Sequence, residues 1–190
     1  EIGDAIREHL IDAARTADAI VISDYNYGVA DAARFETAKD IAKSRGIPLI
    51  VDSRFRLADL AGATSATPNR EEAENLIGGP VTDEACDSLR RRLQLDALIV
   101  TGGNNGMTVF TDGNGPVHLP AVGAREPIDV TGAGDTVIAA YSLGSACGLD
   151  HVTAAFIANH AGGLVVMKRG TSVVSAEELV HSLDDRHSNS

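Results

Sequence analysis

The residues with the most chemistry in this 190-residue chain are Asp129-Val130-Thr131-Gly132-Ala133-Gly134-Asp135, a small-residue acidic stretch set directly before the apolar run 136–143. Gly132 and Gly134 take side chains away from where a ligand's phosphate would approach the backbone. A loop that runs into a helix at this point aims unpaired N–H groups and the positive end of the helix dipole at one spot, which makes an anion site. Asp135 is then a carboxylate among groups that attract negative charge. It is placed to accept the proton of an alcohol attacking a bound phosphate.

Other candidates are weaker one by one. Asn69-x-x-Glu72 follows Thr67-Pro68 and has two readings. It is a helix N-cap with its capping box, or a pair that orients Mg2+ and its waters beside a nucleotide's phosphates. Thr101-Gly102-Gly103-Asn104-Asn105-Gly106 is a glycine-rich turn, but the strand-like Met107-Thr108-Val109-Phe110 follows it. A phosphate-binding loop of the Walker or dinucleotide type needs a helix there, together with Lys-Ser/Thr or a third glycine, so a hairpin turn is the plain reading. Asp24 and Asp52 each lie just past an apolar, β-branched run, where open α/β sheets place their ligands, although each alone reads equally as a turn or cap residue. The six histidines have no metal-ligand spacing and no Ser or Cys sits in a nucleophile elbow, which removes metallohydrolase and triad chemistry.

Positioning these groups takes alternating strands and helices. Helical spacing of apolar residues covers 2–17, and Ala19-Ile20-Val21-Ile22 follows as a buried strand. Residues 32–44 read as a helix stopped by Gly46, and Pro48-Leu49-Ile50-Val51-Asp52 as a second buried strand. Strand, helix, strand in this order implies a right-handed crossover in a parallel sheet. A short strand over 63–67, a helix from Asn69 to Ile77, a surface helix over 82–93 and a third buried strand, Ala97-Leu98-Ile99-Val100, come next. Arg90, Arg91 and Arg92 read as a solvated face of that surface helix. The turn Asp112-Gly113-Asn114-Gly115 makes a hairpin of 107–111 and 117–120. Helices over 136–147, from 152 to about Lys168 and from Ser175 onward complete the chain, with a frayed tail over 184–190. Gly162 and Gly163 lie inside the second of these helices, where something must pack close to the backbone.

Composition sets the bounds. A length of 190 residues with 44% hydrophobic content supports a single domain over 1–190. A net charge of −11 argues against nucleic acid, whose affinity comes from Lys and Arg neutralising phosphates. Cys86 and Cys147 form neither a metal-ligand pattern nor a disulfide framework, so the expected compartment is the reducing cytoplasm, with both cysteines acting as small hydrophobes. No apolar run approaches the roughly 18 residues of a membrane span. The start, Glu1-Ile2-Gly3-Asp4, lacks the basic residues of a signal peptide and an initiator Met, which suggests a processed or truncated start.

Taken together, the motifs resemble the ribokinase-like (PfkB-type) carbohydrate kinases. Asp129 through Tyr141, DVTGAGDTVIAAY, is similar to that family's carboxyl-terminal signature. Asn69-x-x-Glu72, Thr101-x-Gly103-x-x-Gly106 and Ala158-Asn159-His160-Ala161-Gly162 follow in the family's order. The resemblance is closest to kinases acting on heptose 7-phosphate, through Ser23-Asp24-Tyr25, Thr67-Pro68-Asn69, Gly106-Met107-Thr108, His118-Leu119-Pro120 and the tail 170–175. It implies a three-layer α/β/α fold, mainly parallel with a C-proximal β-hairpin, whose amino-terminal sugar-binding part and lid are missing. It implies Asp135 as general base, Gly132, Ala133 and Gly134 as amide donors to the transferring phosphoryl group, and Asn69 with Glu72 ordering Mg2+ through water. Thr101, Gly103, Gly106, Asn159 and Gly162 would line the ATP site, with Gly163 beside them, and Asp129 is a candidate monovalent-cation ligand. The expected partner is a sugar or sugar phosphate, with no nucleic acid and no membrane, and with either a homodimer or an absent amino-terminal segment completing the site. Asp52-Ser53-Arg54 departs from the Asp-Pro-Lys of the heptose kinases. The competing expectations are a truncated, non-catalytic nucleotide-binding fragment or subunit and a Rossmann-type oxidoreductase, which Gly132-x-Gly134-x-x-Val137 disfavours for want of a third glycine.

Overall fold

Leu49-Ile50-Val51 and Ala97-Leu98-Ile99-Val100 carry no polar side chain until their strands end, which suits them to the middle of a sheet covered on both faces. A computed structural model of the chain describes residues 2–123 and 126–187, with the side chains of 185–187 left out of the description. In it these runs become β2 (Leu49–Ser53) and β4 (Ala97–Thr101) of a six-stranded sheet. The other strands are β1 (Ile20–Asp24), β3 (Ser65–Ala66), β5 (Met107–Thr111) and β6 (Val117–Leu119), and the spatial order is the chain order. β1 to β4 are parallel, while β5 and β6 return antiparallel.

Helices cover both faces, because successive side chains of a strand point to opposite sides. Leu49, Val51, Leu98, Val100 and Phe110 pack toward α1 (Ile2–Ala14), α2 (Ala32–Arg45), α3 (Arg70–Ile77) and α4 (Asp83–Arg92). Ile50, Ala97, Ile99, Met107 and Val109 face α5 (Ala133–Ala146) and α6 (His151–Val165). The last helix, α7 (Ala176–His187), packs against α6. The three-layer, mainly parallel architecture is therefore the one expected. No helix among the described residues is long and apolar enough to cross a membrane.

Several local expectations are corrected. Among the described residues β1 is an edge strand, with Val21 43% exposed, its one neighbour there being β2. α5 starts at Ala133 rather than at 136, so Ala133, Gly134 and Asp135 form its first turn. α6 ends at Val165, short of Lys168, and α7 continues past 184 to His187, with 188–190 outside the described residues. Arg90 is not solvated: it is 5% exposed, and its guanidinium donates to Asp87 at 3.1 Å, to the Leu95 carbonyl at 3.0 Å and to Asp112 at 3.3 Å. Of the cysteines, Cys86 is buried as a small hydrophobe, while Cys147 is exposed at the end of α5.

Candidate active site

The carboxyl ends of β1, β2 and β4, the β3–α3 turn and the start of α5 enclose a cleft of about 670 Å³. Four carboxylates line it, Asp24, Asp52, Glu72 and Asp135, with Arg54 as its one cation among the described residues. A second lobe of about 470 Å³ continues past Thr101 and Gly103 to Gly106, Asn159, Gly162 and Gly163. Thr101, Gly103, Ala133 and Gly134 belong to the walls of both lobes. The sequence-predicted residues thus fall around one bipartite site, the Asn69, Glu72 and Asp135 group on the acidic side and the glycines with Asn159 on the other. Asp129 lies outside both walls.

At the junction, Gly132 caps α5 with φ 75°, a left-handed turn that suits glycine. The Ala133 amide is directed to the Val130 carbonyl at 3.2 Å, and Thr136 returns to Gly132 at 3.0 Å. The Gly134 and Asp135 amides, with no acceptor among the described residues, stand at the positive end of the helix. Asp129 is engaged at both oxygens, by the amides of Thr131 (2.9 Å) and Gly170 (3.0 Å), which hold its carboxyl below the usual range.

On the acidic side, Asn69 and Glu72 form the complete capping box: Glu72 N–H donates to Asn69 Oδ1 and Asn69 N–H to Glu72 Oε2, both at 2.9 Å. The box explains their spacing, and both side chains still face the cleft. Asp24 is buried and accepts from the Ser53 hydroxyl (2.9 Å) and the Asn26 amide (2.8 Å). Burial pushes the Asp52 carboxyl up to about 6, helped by the charges of Glu72 and Asp135 and opposed by Arg54. No cluster of three or more His, Cys, Asp or Glu among the described residues is arranged to hold a metal ion. Such a sparse donor set fits Mg2+, which keeps most of its waters and binds through one or two carboxylates plus substrate phosphates.

On the glycine side, the requirement for close packing at Gly162 and Gly163 is met by the protein itself. A Cβ on Gly162 would lie 2.8 Å from Val137 Cγ2, and one on Gly163 would lie 2.4 Å from the Val122 carbonyl oxygen. Asn159 is buried and donates to the Pro120 carbonyl at 2.7 Å, holding the irregular segment that follows β6 against α6.

Two lining residues had no role assigned from sequence. Tyr25 donates its hydroxyl to Asp135 Oδ1 at 2.7 Å, and the Arg54 guanidinium lies over the Tyr25 ring, 5.6 Å from its centre. The bond to Asp135, with the carboxylate's charge, raises the Tyr25 phenol above its ordinary value. In the sequence Tyr25 stands out only by its position directly after the strand-end Asp24 and as part of the Ser23-Asp24-Tyr25 stretch of the family resemblance.

The family model described as pfkB family carbohydrate kinase matches residues 2–178. The chain is 45% identical over 189 residues to the bifunctional protein HldE of Citrifermentans bemidjiense, covering 94% of this chain and 39% of that protein. It is 43% identical over 177 residues to HldE of Geobacter metallireducens, covering 90% and 36%. It therefore spans well under half the length of these relatives. Among solved structures, Arabidopsis thaliana ribokinase complexed with ribose and ATP superposes with a TM-score of 0.78 at 22% identity, covering 93% of this chain and 58% of that one. Phosphofructokinase-2 from Escherichia coli in complex with potassium gives 0.82 at 18%, covering 96% and 61%. The ribokinase-like fold is thereby shown.

Proposed function

Because this chain belongs to the pfkB family of carbohydrate kinases, we propose that it is the donor-side portion of a sugar kinase that phosphorylates a hydroxyl of a sugar phosphate, heptose 7-phosphate being the favoured acceptor. One observation carries this reading. Ala133 and Gly134 line both lobes while Asp135, next to them on the first turn of α5, faces the acidic lobe. A phosphoryl group held at the junction has a helix amide end behind it and a carboxylate on the acceptor's side.

The reaction is in-line displacement. The acceptor oxygen forms a bond to the γ-phosphorus, its proton passes to the Asp135 carboxylate, and the bond to the bridging oxygen of ADP breaks. The amides of Gly132, Gly134 and Asp135 stabilise charge on the phosphoryl oxygens, that of Ala133 being engaged by the Val130 carbonyl, and the glycine lobe with Thr101 and Asn159 holds the nucleotide. Mg2+ would supply neutralisation of phosphate charge, and Asn69 and Glu72 are the residues that would hold it through water. Asp129 ties the signature loop in place and remains a candidate for a monovalent cation.

Consumption of ATP with heptose 7-phosphate, ribose and fructose 1-phosphate, compared between the unaltered chain and Asp135→Asn, tests the proposal. Transfer that falls by about 10²-fold or more in Asp135→Asn while ATP binding persists supports it. ATP binding without transfer to any acceptor leaves a non-catalytic nucleotide-binding portion instead, consistent with the fraction of the relatives' length that the chain spans.

A further inference from the structure

Resting on the reading of Asp135 as acceptor base, we propose that Tyr25 is a positioning residue that stands in for the acceptor hydroxyl and keeps Asp135 from activating water until a sugar arrives. The two residues are separated by 110 positions, yet the phenolic O–H points at Asp135 Oδ1 at 2.7 Å. That is the contact an attacking alcohol must make with its base. Tyr25 and an acceptor hydroxyl cannot both hold this oxygen in the same way. The phenol's raised affinity for its proton keeps it a donor here and not a second base.

The mounting of Tyr25 suits a movable guard. Its backbone follows Asp24, which is buried and fixed by Ser53 and Asn26, so the start of the side chain is anchored. Tyr25 is 46% exposed, and besides an interaction with the neighbouring Ser23 side chain its hydroxyl is held by Asp135 and its ring face by the Arg54 guanidinium. Both are polar groups that an acceptor carrying a phosphate competes for, through its hydroxyl and its phosphate respectively. An anionic sugar therefore removes both holds at once, whereas water offers neither the charge to draw Arg54 away nor the second contact.

With ATP bound and no sugar present, the suppressed reaction is hydrolysis. A water oxygen would bond to the γ-phosphorus, its proton would pass to Asp135, and ADP would leave. The test compares the full chain with Tyr25→Phe, Asp135→Asn and the double variant, measuring sugar-independent ATP hydrolysis, transfer to heptose 7-phosphate, and phenolate absorbance on alkaline titration. Tyr25→Phe is expected to raise the ratio of hydrolysis to transfer by about tenfold, a gain lost in the double variant. The phenolate signal present in the unaltered chain and absent from Tyr25→Phe is expected to shift to lower pH in Asp135→Asn. An unchanged ratio, a gain that persists in the double variant, or a Tyr25 titration indifferent to Asp135 overturns the guard. If the titrations are coupled but no variant consumes ATP, the kinase reading is the part that failed, and the guard falls with it.

Discussion

Asp129 accepts the backbone N–H of Gly170 at 3.0 Å, across 41 residues of chain, and so ties the loop before α5 to the connection between α6 and α7. Its carboxyl is held below the ordinary value of 3.8, first by the Thr131 amide and hydroxyl and then by the Gly170 amide. A carboxylate with a depressed folded value stabilises the fold above its ordinary value and loses that contribution as pH falls through the lower one. Asp129→Asn is expected to flatten the acid side of the melting-temperature profile and to speed exchange of the Gly170 amide hydrogen. An unchanged profile with unchanged exchange would show that the tie contributes nothing.

Asp52 has the opposite sign. Its carboxyl is raised to about 6, so the unfolded chain gives up its proton first and stability drains away as pH rises from 3.8 through that value. Asp52→Asn, which never charges, is expected to match the unaltered chain near pH 4 and to exceed it by about 2 kcal/mol above pH 7. Urea unfolding at the two pH values checks this, and equal stability at both would remove the charge crowding among Asp52, Glu72 and Asp135.

Gly106 tests the wall of the second lobe. Its φ of 79° and ψ of −137° belong to glycine, and an added Cβ would lie 2.0 Å from the Leu119 carbonyl oxygen and 2.6 Å from the Ala121 nitrogen. Backbone atoms of β6 cannot step aside, so Gly106→Ala is expected to destabilise by about 3 kcal/mol or more. Gly162→Ala meets only the Val137 Cγ2 methyl at 2.8 Å and is expected to cost less. Denaturation midpoints at an unchanged slope separate the two, and a Gly106→Ala midpoint equal to that of Gly162→Ala would count against this packing.

What could be read from the chain was local. The apolar runs of β2 and β4 and the Asn69–Glu72 box each depend on residues a few positions apart, and all recur in the structure. Gly-Ala-Gly reads as loop leading into a helix from 136, but an N-terminal turn tolerates glycine, so α5 begins at Ala133. The three arginines of α4 looked equally solvated because a charge run does not reveal helical phase; only Arg90 points inward. The exposure of β1 was hidden, since Ile-Val-Ile reads the same at an edge as in the middle. The Tyr25–Asp135 bond left no local pattern at all, being made by tertiary structure across 110 residues.

Because the strands lie side by side in the order in which they occur, each new strand finds its neighbour already made. During synthesis, at about 5–20 residues per second, the sheet can therefore be laid down edge to edge without waiting for distant segments. A long-range closure comes with α5, which brings Asp135 to Tyr25 just past the end of β1. A chain folded as far as β6 holds all six described strands but not the Tyr25–Asp135 contact, which forms only once α5 has docked, so the cleft is closed late and abruptly rather than in proportion to length.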